Sequence, residues 1–202
     1  MGRMRDVIHA LKYERLHPVG RRLGLLLAEA IASLATEAAA EMLVVPVPLH
    51  RGRQAERGFN QSRVLAAEAI AALRKRMPDW RLTLAPATLM RLRPTETQAG
   101  LTTRQRRINV RGAFGVSDSS AVAGKHILLI DDILTTGATA RAASRALLQA
   151  GAESVWVATL ARAHRVDQAF SSSFIGSARA ETRVVEDRSQ RATMNLQDQP
   201  SF

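Results

Sequence analysis

Asp131 and Asp132 stand side by side behind the aliphatic run Ile127-Leu128-Leu129-Ile130, and ahead of Ile133-Leu134-Thr135-Thr136-Gly137-Ala138-Thr139. Paired carboxylates can accept hydrogen bonds from the vicinal hydroxyls of a ribose, and they can help hold a Mg²⁺ ligated chiefly by substrate oxygens and water. The small, hydroxyl-rich loop behind them suits a phosphate. First-turn backbone N–H groups of a helix lack intrahelical partners, the helix dipole adds positive potential, and Gly137 lets the chain approach an anion closely. Together these residues are the parts of a ribose-phosphate site.

Such a site needs a strand to carry the acids and a helix to present the loop. Four aliphatics bounded by charge predict a fully buried parallel strand, and residues 140–150 with Gly151 behind them predict a helix with its C-terminal stop. The site then lies at the carboxyl end of a strand. The loop has no lysine, as a Walker A sequence requires, and no GxGxxG follows any strand, so ATPase and dinucleotide readings weaken. A plain strand end with a helix cap at Thr135 would leave two adjacent carboxylates at a buried edge without a compensating cation, which is costly.

The remaining chain reads as alternating elements. Helices are predicted over 1–12 and 19–40, a buried strand over 42–49, a helix over 62–76, a short strand over 81–85, a further strand or ribbon over 112–116, and a last apolar strand over 154–161. Pro46 and Pro48 stiffen the exit of the first strand into a loop. This alternation predicts a parallel α/β sheet with right-handed crossovers. Residues 91–111 hold six arginines without sustained periodicity and read as a flexible loop over the site. Residues 1–163 are read as one domain, and the polar segment 164–202 as a flexible C-terminal tail.

Composition narrows the class. With 202 residues, 46% of them hydrophobic, the chain can fill one core. It has no cysteine, so disulfides and thiolate zinc sites are excluded, no zinc is expected, and a cytoplasmic location is allowed. His9, His17, His50, His126 and His164 lack metal-ligand spacing. The apolar stretch 23–40 is interrupted by Glu29 and Glu37 and followed by Glu41, which predicts an amphipathic helix and no membrane insertion. A formal charge of +11 attracts polyanions, and both nucleic acid and a substrate with several phosphates satisfy it. Arg51, Arg53 and Arg57 follow the first strand and could meet a pyrophosphate at the same sheet edge.

The run 127–139 resembles the phosphoribosyl-pyrophosphate (PRPP) motif of type I phosphoribosyltransferases. The resemblance narrows with Val45-Pro46-Val47-Pro48-Leu49, Arg57-Gly58-Phe59-Asn60-Gln61, Thr97-Gln98-Ala99-Gly100-Leu101, Arg104, Arg107, Asn109-Val110 and Gly112-Ala113-Phe114. In that order these blocks resemble the ComF family of competence-associated phosphoribosyltransferase-like proteins, over about residues 6–162.

The resemblance implies a type I phosphoribosyltransferase fold with a flexible hood loop, and PRPP with Mg²⁺ as ligands. Asp131 and Asp132 would contact the ribose and its metal, and are the catalytic candidates. Thr135, Thr136, Gly137, Ala138 and Thr139 would bind the 5-phosphate, His50, Arg51, Gly52 and Arg53 the pyrophosphate, and Gln98, Arg104 and Arg107 would close over phosphate oxygens from the flexible loop. Many ComF proteins begin with a four-cysteine zinc ribbon, which this cysteine-free chain lacks, so the ribbon's docking functions are not implied. The expected function is Mg-dependent phosphoribosyl transfer to an unknown acceptor, linked to competence or DNA uptake. The alternatives on the same fold are a non-catalytic module binding single-stranded DNA or DNA-uptake proteins, and a PRPP or nucleotide sensor. An oligomer is compatible with any of these.

Overall fold

Ile127 and Leu129 face one side of the central strand and Leu128 and Ile130 the other, and all four are fully buried. A strand buried on both faces must be covered by helices on both faces, and the computed structural model shows this arrangement. It describes residues 17–50, 52, 54–55, 58–95, 102–162, 174–178 and 182–184.

The elements are α1 (His17–Ala32), β1 (Glu41–Pro46), α2 (Gln61–Arg76), β2 (Arg81–Leu84), β3 (Leu89–Arg91), α3 (Thr103–Val110), β4 (Phe114–Val116), β5 (His126–Leu134), α4 (Ala138–Gln149), β6 (Ser154–Arg162), β7 (Phe174–Ala178) and β8 (Thr182–Val184). The main sheet has the order β2-β1-β5-β6-β7-β8, and β3 and β4 form a separate two-stranded antiparallel ribbon. The first four strands of the sheet run parallel, with Val44 opposite Leu128 and Leu129 opposite Val157. β7 and β8 add antiparallel to β6.

One core lies between the sheet and helices α1 and α2, where Leu27, Ile31, Leu65 and Ile70 pack on Val44, Leu128, Ile130 and Leu160. The other lies between the sheet, α4 and the ribbon, where Leu147, Ala143, Leu89 and Phe114 pack on Val45, Ile127, Leu129 and Val155. Helices α1 and α2 cross at Gly24, where an added Cβ would stand 2.3 Å from the Glu68 Cβ. Trp80 closes the far edge by donating its indole N–H to the Ala39 carbonyl at 2.8 Å.

Three differences from the sequence expectation have physical causes. The strand expected to stop at Ile130 continues to Leu134, because the ladder with β6 runs on through Asp131, opposite Thr159, to Ile133, opposite Ala161. The arginine-rich segment read as a loop contains helix α3, started by a capping box. The Thr102 side chain accepts from the Gln105 N–H at 3.3 Å, and the Gln105 side chain accepts from the Thr102 N–H at 2.8 Å. Strands β7 and β8 stand inside the segment 164–202 that composition reads as a tail, paired to the edge that β6 offers. The helix predicted over 1–12 lies outside the described residues. Among the described residues, no helix is long and apolar enough to cross a membrane.

Candidate functional site

The carboxyl ends of β1 and β5 are stitched together by the chain that leaves them. The Val47 N–H donates to the Ile130 carbonyl at 2.8 Å, and the Asn60 side-chain amide donates to the Val47 carbonyl at 3.0 Å. Asn60 is also the N-cap of α2, its Oδ1 accepting from the Ser62 N–H at 3.0 Å. The start of α2 is thereby held against the residue that precedes Asp131.

Asp131 is 8% exposed, and its Oδ1 accepts from the Asp132 N–H at 2.9 Å and from the Ser62 hydroxyl at 3.4 Å. Asp132 is half-buried, and its Oδ1 accepts from the Ile133 N–H at 2.8 Å. Both acids are thus oriented by the backbone that follows them, at the mouth of the β5–α4 turn.

That turn ends in Gly137, the N-cap of α4, with φ 70 and ψ 10 in the left-handed region that glycine adopts without penalty. No side chain caps the helix, so its first turn opens toward the loop. The Arg141 N–H closes the first helical bond to the Gly137 carbonyl at 2.9 Å, and the Arg141 guanidinium folds back to donate to the Thr136 carbonyl. Gly137 and Ala138 are buried, Thr136 and Thr139 half-buried, and Thr135 exposed. The Thr136 hydroxyl oxygen is buried without a hydrogen-bond partner.

Of the other predicted residues, His50 is half-buried and its Nδ1 accepts from the exposed Gly52 N–H at 3.3 Å. The loop turns helically there, the Gln54 N–H donating to the His50 carbonyl at 2.9 Å. Arg51, Arg53 and Gln98 lie outside the described residues. Arg104 and Arg107 are exposed on α3, which packs against α4. Burial of the guanidinium, and then the like charge of Arg107, push the Arg141 pKa down from its ordinary value.

Four residues of this neighbourhood carry no role in the sequence reading: Gln61, Ser62, Asn60 and Arg141. Asn60 and Ser62 were legible as an N-cap pattern ahead of an apolar-periodic helix. Gln61, 2% exposed with its side-chain nitrogen unpartnered, stands at the end of a motif block that gave it no role, and Arg141, one turn into an ordinary helix, had no local signal.

The acids suit a hard cation. Among the described residues no three His, Cys, Asp or Glu side chains converge as a metal cage. This donor set fits Mg²⁺ carried on substrate oxygens and water, steadied by one or two carboxylates.

The phosphoribosyl transferase domain model matches residues 60–173, from the cap of α2 through β5, α4 and β6. The chain belongs to the phosphoribosyl transferase domain family. Its fold is the type I phosphoribosyltransferase fold, and within that family it joins the ComF proteins. It is 34% identical over 158 residues to the DNA utilization protein YhgH of Escherichia coli (strain K12), covering 77% of this chain and 66% of that protein. It is 34% identical over 121 residues to competence protein F of Haemophilus influenzae, covering 59% of this chain and 50% of that one. It is 35% identical over 121 residues to competence protein ComFC of Bacillus subtilis, covering 59% of this chain and 44% of that one. The chain therefore spans two thirds or less of the length of these ComF relatives.

Proposed function

We propose that this ComF-family chain binds PRPP and transfers its phosphoribosyl group to an acceptor in a Mg²⁺-dependent reaction. The observation that carries the reading is the β5–α4 unit, where two oriented carboxylates and an uncapped, glycine-started helix occupy one turn of chain. The first-turn N–H groups and the dipole of α4 suit the 5-phosphate, while Asp131 and Asp132 suit the ribose hydroxyls. The His50 loop shares their sheet edge and suits the pyrophosphate.

Displacement at the anomeric carbon passes through an oxocarbenium-like state, so the protein chiefly has to orient the donor, stabilise charge and exclude water. No nucleophilic side chain is needed. Asp131 and Asp132 hold negative charge beside the cationic sugar ring, and the arginines of α3 meet phosphate oxygens from above. Mg²⁺, when bound, supplies charge neutralisation on the departing pyrophosphate. A donor carrying this much charge does not cross a bilayer unaided, so the reading implies a cytoplasmic protein.

Calorimetric titration of PRPP with Mg²⁺ into the wild type and into the Asp131→Asn/Asp132→Asn double variant tests the reading. Saturable binding that the double variant loses supports it; a folded wild type that binds no PRPP overturns it.

A second reading is favoured by the charge of +11 and the exposed Arg104, Arg107 and Arg111 around α3: a non-catalytic module for single-stranded DNA. The names of the relatives, DNA utilization and competence proteins, agree with it. DNA binding that PRPP does not compete, in a protein without phosphoribosyl transfer, would favour it.

A further inference from the structure

Helix α1 turns Leu23, Leu27, Ala28 and Ile31 into the core and seats Gly24 against α2, which leaves Arg21, Arg22, Leu25, Leu26 and Glu29 exposed on its outer face. Leu25 and Leu26 are 48% and 46% exposed, side by side at the middle of that face, where a surface helix ordinarily carries polar residues. Arg22 and Glu29 are seven residues apart, close to two full turns, so they share one angular position, one turn to either side of the leucine pair. Neither has an opposite charge three or four residues away along the helix, and among the described residues neither forms an ion pair.

This pattern is complementary to itself. The midpoint between Leu25 and Leu26 is also the midpoint between Arg22 and Glu29. A second α1 laid antiparallel across that midpoint sets Leu25 against the partner's Leu26 and Arg22 against the partner's Glu29, and a twofold axis repeats both contacts. A parallel pairing would bring each charge to its own copy, so the charges select the antiparallel one.

We propose that the outer face of α1 is a homodimer interface, in which two copies of this chain pair antiparallel about a twofold axis at Leu25 and Leu26, with reciprocal Arg22–Glu29 ion pairs. A foreign partner would have to offer an acid, an apolar centre and a base in matching order, and the chain already carries that order itself. The leucines supply the attraction by leaving water, and the flanking charges fix register and direction. One helix pair covers less surface than a standard interface, so the dimer belongs to the weak class, with a dissociation constant on the order of 100 μM. None of these residues belongs to the ribose-phosphate site, so the pairing stands or falls independently of what that site binds.

The test is analytical ultracentrifugation of the full chain at low salt, from about 10 to about 500 μM, a range that brackets the expected constant. The wild type is expected to pass from monomer to dimer across it. Leu25→Gln/Leu26→Gln is expected to stay monomeric while its circular dichroism remains that of the wild type, because both side chains lie on the surface. Arg22→Glu and Glu29→Arg are each expected to self-associate roughly tenfold more weakly, since two ion pairs become two repulsions. Mixed in equal amounts, those two variants are expected to form a heterodimer in which every charge again faces its opposite, and Arg22→Glu/Glu29→Arg in one chain is expected to recover self-association. A wild type that stays monomeric would overturn the proposal and give the leucine face to a different chain or to another segment of this one. A dimer that survives in the folded leucine variant would overturn it by placing the interface elsewhere, and charge variants that do not recover on mixing would overturn the antiparallel pairing.

Discussion

The Ser62 hydroxyl lies 3.4 Å from the Asp131 carboxylate, joining residues 69 positions apart in the chain. Ser62 is itself set by the Asn60 cap, so the first turn of α2 acts as a brace on the acid. Ser62→Ala removes one hydrogen bond to a buried carboxylate and leaves the Asp132 N–H in place. The expected cost is about 0.5–1.5 kcal/mol of stability by urea denaturation. PRPP affinity should fall severalfold in the same protein by calorimetry.

Gly137→Ala puts a side chain where φ is 70 and where Arg141 already lies. The left-handed backbone costs a non-glycine residue roughly 1–2 kcal/mol, and the Arg141 guanidinium must move off the loop. Stability should drop by about that amount in denaturant titration. Binding of ribose 5-phosphate should drop with it, whereas an ordinary loop glycine would show the first loss without the second.

Gly24→Ala should destabilise the protein although alanine is the better helix former. The added methyl meets the Glu68 Cβ at 2.3 Å, and neither helix backbone can retreat without disturbing the core beneath it. Overpacking of this kind costs about 1–3 kcal/mol. The expected result is a lower urea midpoint with an unchanged slope.

Asp118 accepts from the Ser120 hydroxyl at 2.6 Å and from the Ser120 N–H at 2.9 Å. The hydroxyl contact first, and then the N–H, hold its carboxyl below the ordinary value. A carboxyl with a depressed folded pKa adds stability that is present above its unfolded pKa and is lost as the pH falls through the folded one. The carboxyl resonance of Asp118 in an NMR titration should therefore move at a pH below that of a free aspartate. Ser120→Ala should shift that midpoint upward, and an unmoved midpoint would show that the hydroxyl is not the cause.

What the sequence determined by itself is local. The aliphatic run 127–130, the paired acids and the small loop ending in Gly137 specify a buried strand and a helix start with their own short-range chemistry, and the periodicity of 62–76 specifies the helix that covers them. The motif blocks carried the family for the same reason, since each is contiguous. Helix α3 was missed because eight residues are too few for an apolar period to declare itself, and its one signal, Thr102 with Gln105, is a cap without a hydrophobic stripe behind it.

Only the tertiary structure decided which distant groups meet. Parallel pairing of β1 with β5 brings Val47 to Ile130, and with it Asn60 and Ser62 to Asp131. Packing of α3 on α4 brings the arginine-rich helix to the helix that starts at Gly137. Neither meeting is encoded in any local spacing, because the angle and register that create it come from burying two apolar cores on opposite faces of one sheet.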